Sequence, residues 1–172
     1  MSPFSYPEVG ATRDAPARLP GYVVDRNRVR LGEGEGTFRR ARAALRAWRM
    51  FEVGWVRLFP AGAPVETGAV VAVVAEHYGL WSVNPACVVY VFEEEEGGVR
   101  RSGFACGTLP RHAQRGEERL CVELHSDGSV FYDLYAFSRP NRLPVWPGYP
   151  LVRRLQRRFA RDSLAAMARA VG

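Results

Sequence analysis

His112, Glu117 and Asp133 are the side chains best suited to acid–base chemistry in this sequence. An imidazole titrates near neutrality, and a neighbouring carboxylate can set its tautomer. The run Gly107-Thr108-Leu109-Pro110-Arg111-His112-Ala113-Gln114-Arg115-Gly116-Glu117-Glu118 reads as a loop between two strands, and at a cavity mouth its histidine and carboxylates could act as acid and base. Asp133 is nominated by register. Asp127-Gly128 reads as a two-residue hairpin turn, so Ser126 faces Ser129 and His125 pairs with Val130, Leu124 with Phe131, Val122 with Asp133 and Leu120 with Tyr135. Alternation then gathers Leu120, Val122, Leu124, Phe131, Tyr135 and Phe137 on one apolar face, with Asp133 among them. A carboxylate there either pairs with one of the many arginines or orients a ligand inside a cavity, because an unpaired buried charge is strongly disfavoured.

Other chemistries have no support in the pattern. Thr108, Ser138 and Cys106 lack a triad context, and no G-x-S-x-G elbow occurs. Cys87, Cys106 and Cys121 are an odd set without a C-x-x-C pair, and His77, His112 and His125 are scattered, so no disulfide framework, metal site or cofactor is expected. Gly32-Glu33-Gly34-Glu35-Gly36 reads as a tight turn, since it matches neither dinucleotide nor P-loop spacing.

Periodicity locates the strands and helices that carry these side chains. The 172 residues suit one domain spanning 1–172. Residues 1–20 contain Pro3, Pro7, Pro16 and Pro20 and should lie extended on the surface. A β-rich stretch, Tyr22 to Leu31, precedes an amphipathic helix with Thr37 as N-cap and Phe38, Ala41, Leu45 and Trp48 on one side. Short strands follow at Val53–Leu58, Ala69–Glu76, Leu80–Val83, Ala86–Glu93, Arg101–Leu109, Glu117–His125 and Ser129–Ser138, with Gly97-Gly98 closing one hairpin. The last element, 150–171, opens on Pro150 and presents Leu151, Val152, Leu155, Phe159, Leu164, Met167 and Val171 on one face, with Arg153, Arg157 and Arg161 on another. The fold class is α+β: an antiparallel sheet of about six to seven strands wrapped around a long C-terminal helix, with a shorter N-terminal helix.

Charge is unevenly distributed. All 24 basic residues are arginine, and lysine and isoleucine are both absent, as a GC-rich genome would dictate. Residues 151–172 hold six arginines against Asp162, whereas 50–150 hold eight against twelve acids. The formal net charge of +6 thus sits on the two helices, as solvated faces or as a patch for nucleic acid or an anionic membrane. No apolar run spans a bilayer and the first ten residues lack a secretory layout, so a cytoplasmic location is expected. Oligomeric state is not encoded in these patterns.

Several motifs resemble a known family. Tyr6-Pro7-Glu8-Val9-Gly10, Leu31-Gly32-x-Gly34, Gly103-Phe104-Ala105-Cys106-Gly107-Thr108-Leu109-Pro110-x-His112, Gly116-Glu117-Glu118 and Ala136-Phe137-Ser138-Arg139-Pro140 resemble the family known as domain of unknown function nineteen-ninety, with Cys106 standing where that family commonly has tyrosine. The resemblance implies a START or Bet v 1-like (SRPBCC) helix-grip fold with an apolar cavity between sheet and C-terminal helix, and it supplies no reaction. The leading expectation is therefore a binder of a small apolar or amphipathic ligand, with Phe104, Cys106, Phe131, Asp133, Tyr135 and Phe137 lining its pocket. A cyclase- or hydrolase-like enzyme using Asp133 or His112 with Glu117, and a basic interaction module, are the alternatives.

Overall fold

The computed structural model describes residues 4–141 and 149–172. Its elements are β1 (Val23–Glu33), α1 (Gly34–Arg46), a 3-10 turn at Arg49–Phe51, β2 (Val56–Phe59), β3 (Val70–His77), β4 (Leu80–Glu96), β5 (Val99–Thr108), β6 (Gln114–His125), β7 (Ser129–Pro140) and α2 (Tyr149–Val171). All seven strands form one sheet in the order β1-β7-β6-β5-β4-β3-β2, and every neighbouring pair is antiparallel. Both helices pack on one face of it, here the inner face, which is the helix-grip arrangement expected from the sequence. No helix among the described residues is long and apolar enough to cross a membrane.

Turn chemistry sets the register. Tyr78-Gly79 and Gly97-Gly98 join their strands with positive φ at both positions, as a two-residue turn of the hairpin type requires. The turn after β6 differs from expectation. Leu124 pairs with Val130, Val122 with Tyr132 and Leu120 with Leu134, so the loop holds Ser126, Asp127 and Gly128. Only Gly128 is left-handed (φ 84°), while Asp127 Oδ1 accepts hydrogen bonds from Ser129 N (2.9 Å) and Ser129 Oγ (2.6 Å). This three-residue loop slips the pairing by one position and exchanges the two faces of β7. Val130, Tyr132 and Leu134 join the inner core, and Phe131, Asp133, Tyr135 and Phe137 turn outward.

Other boundaries shift for local reasons. Strand β1 runs on to Glu33 and α1 begins at Gly34, so the glycine run is a strand-to-helix junction whose Gly34 N–H donates to Gly128 O (2.7 Å). Thr37 is accordingly a buried first-turn residue and Glu33 holds the N-cap position. The two segments separated by Asn84-Pro85 form one strand, because Pro85 still pairs with Ala72 and its carbonyl accepts from Leu109 N–H (3.1 Å). Val53 and Trp55 precede β2, which is only four residues long.

Two apolar clusters hold the sheet. The inner one joins Phe38, Ala41 and Leu45 of α1 to Phe104, Leu120, Val122, Tyr132 and Leu134 of the central strands and to Met167 and Val171 of α2. Each such large side chain stabilises the fold by roughly 1.5–3 kcal/mol when fully buried. The outer cluster is smaller: Tyr6, Tyr135 and Phe137, with Phe4, Ala11, Leu19 and Tyr22 of the N-terminal segment laid over them. Along α2 the burial is uneven. Ala160, Ser163, Ala166, Met167 and Val171 are buried, whereas Val152, Leu155 and Phe159 are half-buried and Leu151 is 43% exposed. The second half of this helix therefore anchors it, and its first half is less deeply buried.

Candidate functional site

Glu117 and Glu118 are adjacent on β6, so strand alternation sends their side chains to opposite faces. Glu117 points outward and is consumed by structure. One carboxylate oxygen accepts from Tyr6 Oη (2.5 Å) and Gly10 N (2.8 Å), and the other from Thr12 N (3.1 Å) and the Thr12 hydroxyl. Burial, and then the Glu117 charge, push the Tyr6 phenol well above its usual range, so it stays a donor. This cluster fastens the N-terminal segment across the outer face.

Glu118 points inward. Its row across the sheet is Asp25, Ala136, Glu118 and Cys106, on β1, β7, β6 and β5 in turn. No hydrogen bond or ion pair reaches its carboxyl group among the described residues, although Asp25, Ser138 and Gln156 nearby are all engaged. Burial pushes its pKa up to about 7, with the Asp25 charge adding to the rise. The groups around it stay fixed near neutral pH: the Cys106 thiol and Tyr132 phenol are both pushed up, chiefly by burial. Arg153 of α2 forks onto the Asp25 carboxylate with two 2.7 Å bonds.

Room around Glu118 comes from small neighbours. Cys106, Ala136 and Ser138 lie in central strands yet keep accessible surface, whereas Phe104, Leu120 and Leu134 one row away are 2% exposed or less. The first half of α2 runs past this row, with Arg153 on Asp25 and Gln156 on Ser138. A polar rim flanks it on one side, where Gln156 Nε2 donates to Gln114 Oε1 (2.5 Å) and Ser138 Oγ (3.0 Å). Chemically, this is a half-buried patch of small side chains around one carboxyl group that can donate a hydrogen bond when neutral and only accept when ionised. The Cys106 thiol there is not an activated nucleophile, because a thiol whose pKa is raised by burial remains protonated.

The residues singled out from sequence are distributed between the two faces. Phe104 is inner but lies in the packed half, edge-on to Trp48 at 4.8 Å, and Cys106 lines the open half. The expected inward placement of Phe131, Asp133, Tyr135 and Phe137 is corrected by the register: Phe131 lies under Arg28, Tyr135 Oη donates to Pro16 O (2.6 Å), and Phe137 packs against Tyr6 and Tyr22. Asp133 is fully buried on the outer face between Arg26 (3.1 Å) and Arg119 (3.2 Å), the pairing its charge demands. Burial pushes His112 down to about 4, and its Nδ1 accepts from Gln114 N (2.9 Å), which leaves the proton on Nε2 at neutral pH. No hydrogen bond joins any two of His112, Glu117 and Asp133 among the described residues, and the first carboxylate is committed to the N-terminal segment. Glu118, the second carboxylate of the run expected to be a loop, instead belongs to β6 and shares the alternation of Leu120, Val122 and Leu124, a signal present within that strand alone. Asp25, Arg153 and Gln156 had no such signal, since their meeting depends on β1 pairing with β7. Among the described residues no three histidine, cysteine or carboxylate side chains gather as a metal would require.

Comparison with known proteins places this geometry in a lineage. The model of a domain of unknown function, DUF1990, matches residues 5–166. The chain belongs to the DUF1990 family. A UPF0548 protein from Deinococcus radiodurans is 40% identical over 182 residues, covering 98% of this chain and 87% of the relative. A UPF0548 protein from Dictyostelium discoideum is 32% identical over 163 residues, with 90% and 76% covered. In fold the DUF1990 chain is similar to hypothetical protein jhp0584 from Helicobacter pylori, at TM-score 0.56 and 12% identity over 100% of this chain and 98% of that one. It is also similar to TTHA0849 from Thermus thermophilus, at TM-score 0.57 and 16% identity over 87% and 97%. At such identities the likeness concerns architecture alone.

Proposed function

We propose that the protein binds a small apolar or amphipathic molecule in the space between the sheet and the first half of α2, with Glu118 meeting the ligand's polar end. The observation that supports this most is a half-buried carboxyl group left without any protein partner among the described residues. Such a group is costly to keep unless something else satisfies it, and a ligand hydroxyl or carbonyl would do so. Its surroundings suit an apolar guest: Cys106 and Ala136 share its row on the inner face and retain accessible surface, as does Phe159 of α2. A protonated Glu118 donates to a carbonyl and accepts from a hydroxyl, so a long-chain alcohol, ketone or neutral acid suits the site better than a pure hydrocarbon.

The test uses N-phenyl-1-naphthylamine, a neutral apolar probe whose fluorescence rises on leaving water, together with native mass spectrometry of the purified protein. The expected result is saturable probe binding, displaced by a long-chain alcohol and abolished by Ala136→Trp, which fills the cleft while leaving Glu118 in place. Binding of the alcohol should weaken roughly tenfold between pH 6 and pH 8, as Glu118 ionises, and this slope should flatten in Glu118→Gln. Probe uptake by Ala136→Trp equal to that of the parent would sink the reading.

A further inference from the structure

A second surface lies outside the cleft, where the β3–β4 hairpin approaches α2. Arg154, Arg157, Arg158 and Arg161 recur at helical spacing on one outward face of α2, and with Tyr78 they line an open groove of about 750 Å³. Asp162 engages Arg158 (3.5 Å) and Arg161 (3.0 Å), but Arg154 and Arg157 meet no carboxylate among the described residues. The adjoining hairpin end is exposed on both sides: Tyr78 (77%) and Leu80 (74%) lie at its turn, and Trp81 (55%) and Val83 (60%) share the outer face of the sheet with Arg57, which lies over the Trp81 ring at 5.7 Å. Glu76, paired with Trp81, is the carboxylate on that end of the hairpin.

We propose that this face docks on an anionic bilayer surface, with the Tyr78–Val83 hairpin end entering the headgroup region and the α2 arginines meeting lipid phosphates. Aromatic and aliphatic tips beside a row of cations form the composition that settles at a membrane interface. Two other occupants fit less well. Leu80 and Val83 have nothing to offer a phosphate backbone or a base edge, which disfavours nucleic acid. A second copy docking by a two-fold axis would bring the same four arginines toward one another. The proposal stands on different residues from the Glu118 reading, so either can fail alone.

The full chain would be sedimented with vesicles of phosphatidylcholine alone and with vesicles containing about one-third phosphatidylserine, at low and high salt. The expected result is binding to the anionic vesicles only, weakened by salt. Both Leu80→Ser/Trp81→Ser and Arg154→Gln/Arg157→Gln should lower partitioning roughly tenfold or more, with circular dichroism unchanged. Brominated lipid should quench the parent's tryptophan emission and leave Trp81→Phe largely unquenched, a readout that needs no destabilising change. The proposal is overturned by absence of binding to anionic vesicles, or by a hairpin variant that binds as well as the parent. It is equally overturned if a short RNA strips the protein from vesicles at matched phosphate, or if a dimer dissolved by the hairpin substitutions accounts for the exposed residues.

Discussion

Glu117 and Glu118 are consecutive residues with opposite fates. The outward carboxylate accepts four hydrogen bonds from Tyr6, Gly10 and Thr12, and the inward one accepts none among the described residues. The difference separates two uses of a buried charge. On the outer face the chain has built a complete set of donors around Glu117, so burial there is stabilising and holds the N-terminal segment in place. On the inner face burial, with the Asp25 charge adding to it, raises the pKa of Glu118 to about 7 and leaves its hydrogen-bonding capacity unfilled.

The comparison is broken most severely by removing the outer carboxylate. Glu117→Ala leaves the Tyr6 hydroxyl and the Gly10 and Thr12 donors buried without an acceptor, and should cost about 3–5 kcal/mol in urea unfolding. The same variant should expose residues 4–22 to limited proteolysis; a loss under about 1 kcal/mol would mean that the aromatic contacts of Tyr6 and Phe137 hold the segment instead. Removing the inner charge should act in the reverse direction. Because the folded pKa of Glu118, about 7, exceeds its ordinary 4.5, the group's contribution to stability is complete below pH 4.5, falls between those values and is lost above 7. Glu118→Gln should therefore stabilise the protein by roughly 2–3 kcal/mol at pH 8 and by nothing measurable at pH 4. A smaller effect sharpens the contrast within the inner face. Tyr132→Phe removes the 3.3 Å bond to Ser163 in the packed half of the grip and should cost about 0.5–1.5 kcal/mol at every pH from 5 to 8.

Much of the architecture could be read from local patterns, and the failures have particular causes. Apolar spacing located both helices, and Gly97-Gly98 marked its hairpin because two glycines readily supply two left-handed positions. Asp127-Gly128 misled because the dipeptide suits two loops. In a two-residue turn Asp127 would also be left-handed, but its side chain caps Ser129 instead and one further residue enters the loop. That single slip reversed β7 and carried Phe131, Asp133, Tyr135 and Phe137 from the imagined pocket to the outer face. The inner carboxylate needed no long-range information, since β6 alternation already placed Glu118 beside Leu120. The rim of Asp25, Arg153, Gln114 and Gln156 did, because it joins segments far apart in the chain.

The most direct measurement is the titration of Glu118 itself, by carboxyl carbon NMR of glutamate-labelled protein with Glu118→Gln as the assignment control. A resonance with its midpoint near 7, moving higher when a long-chain alcohol occupies the cleft, is the predicted result. A Glu118 midpoint in the ordinary glutamate range, indifferent to the alcohol, would contradict it.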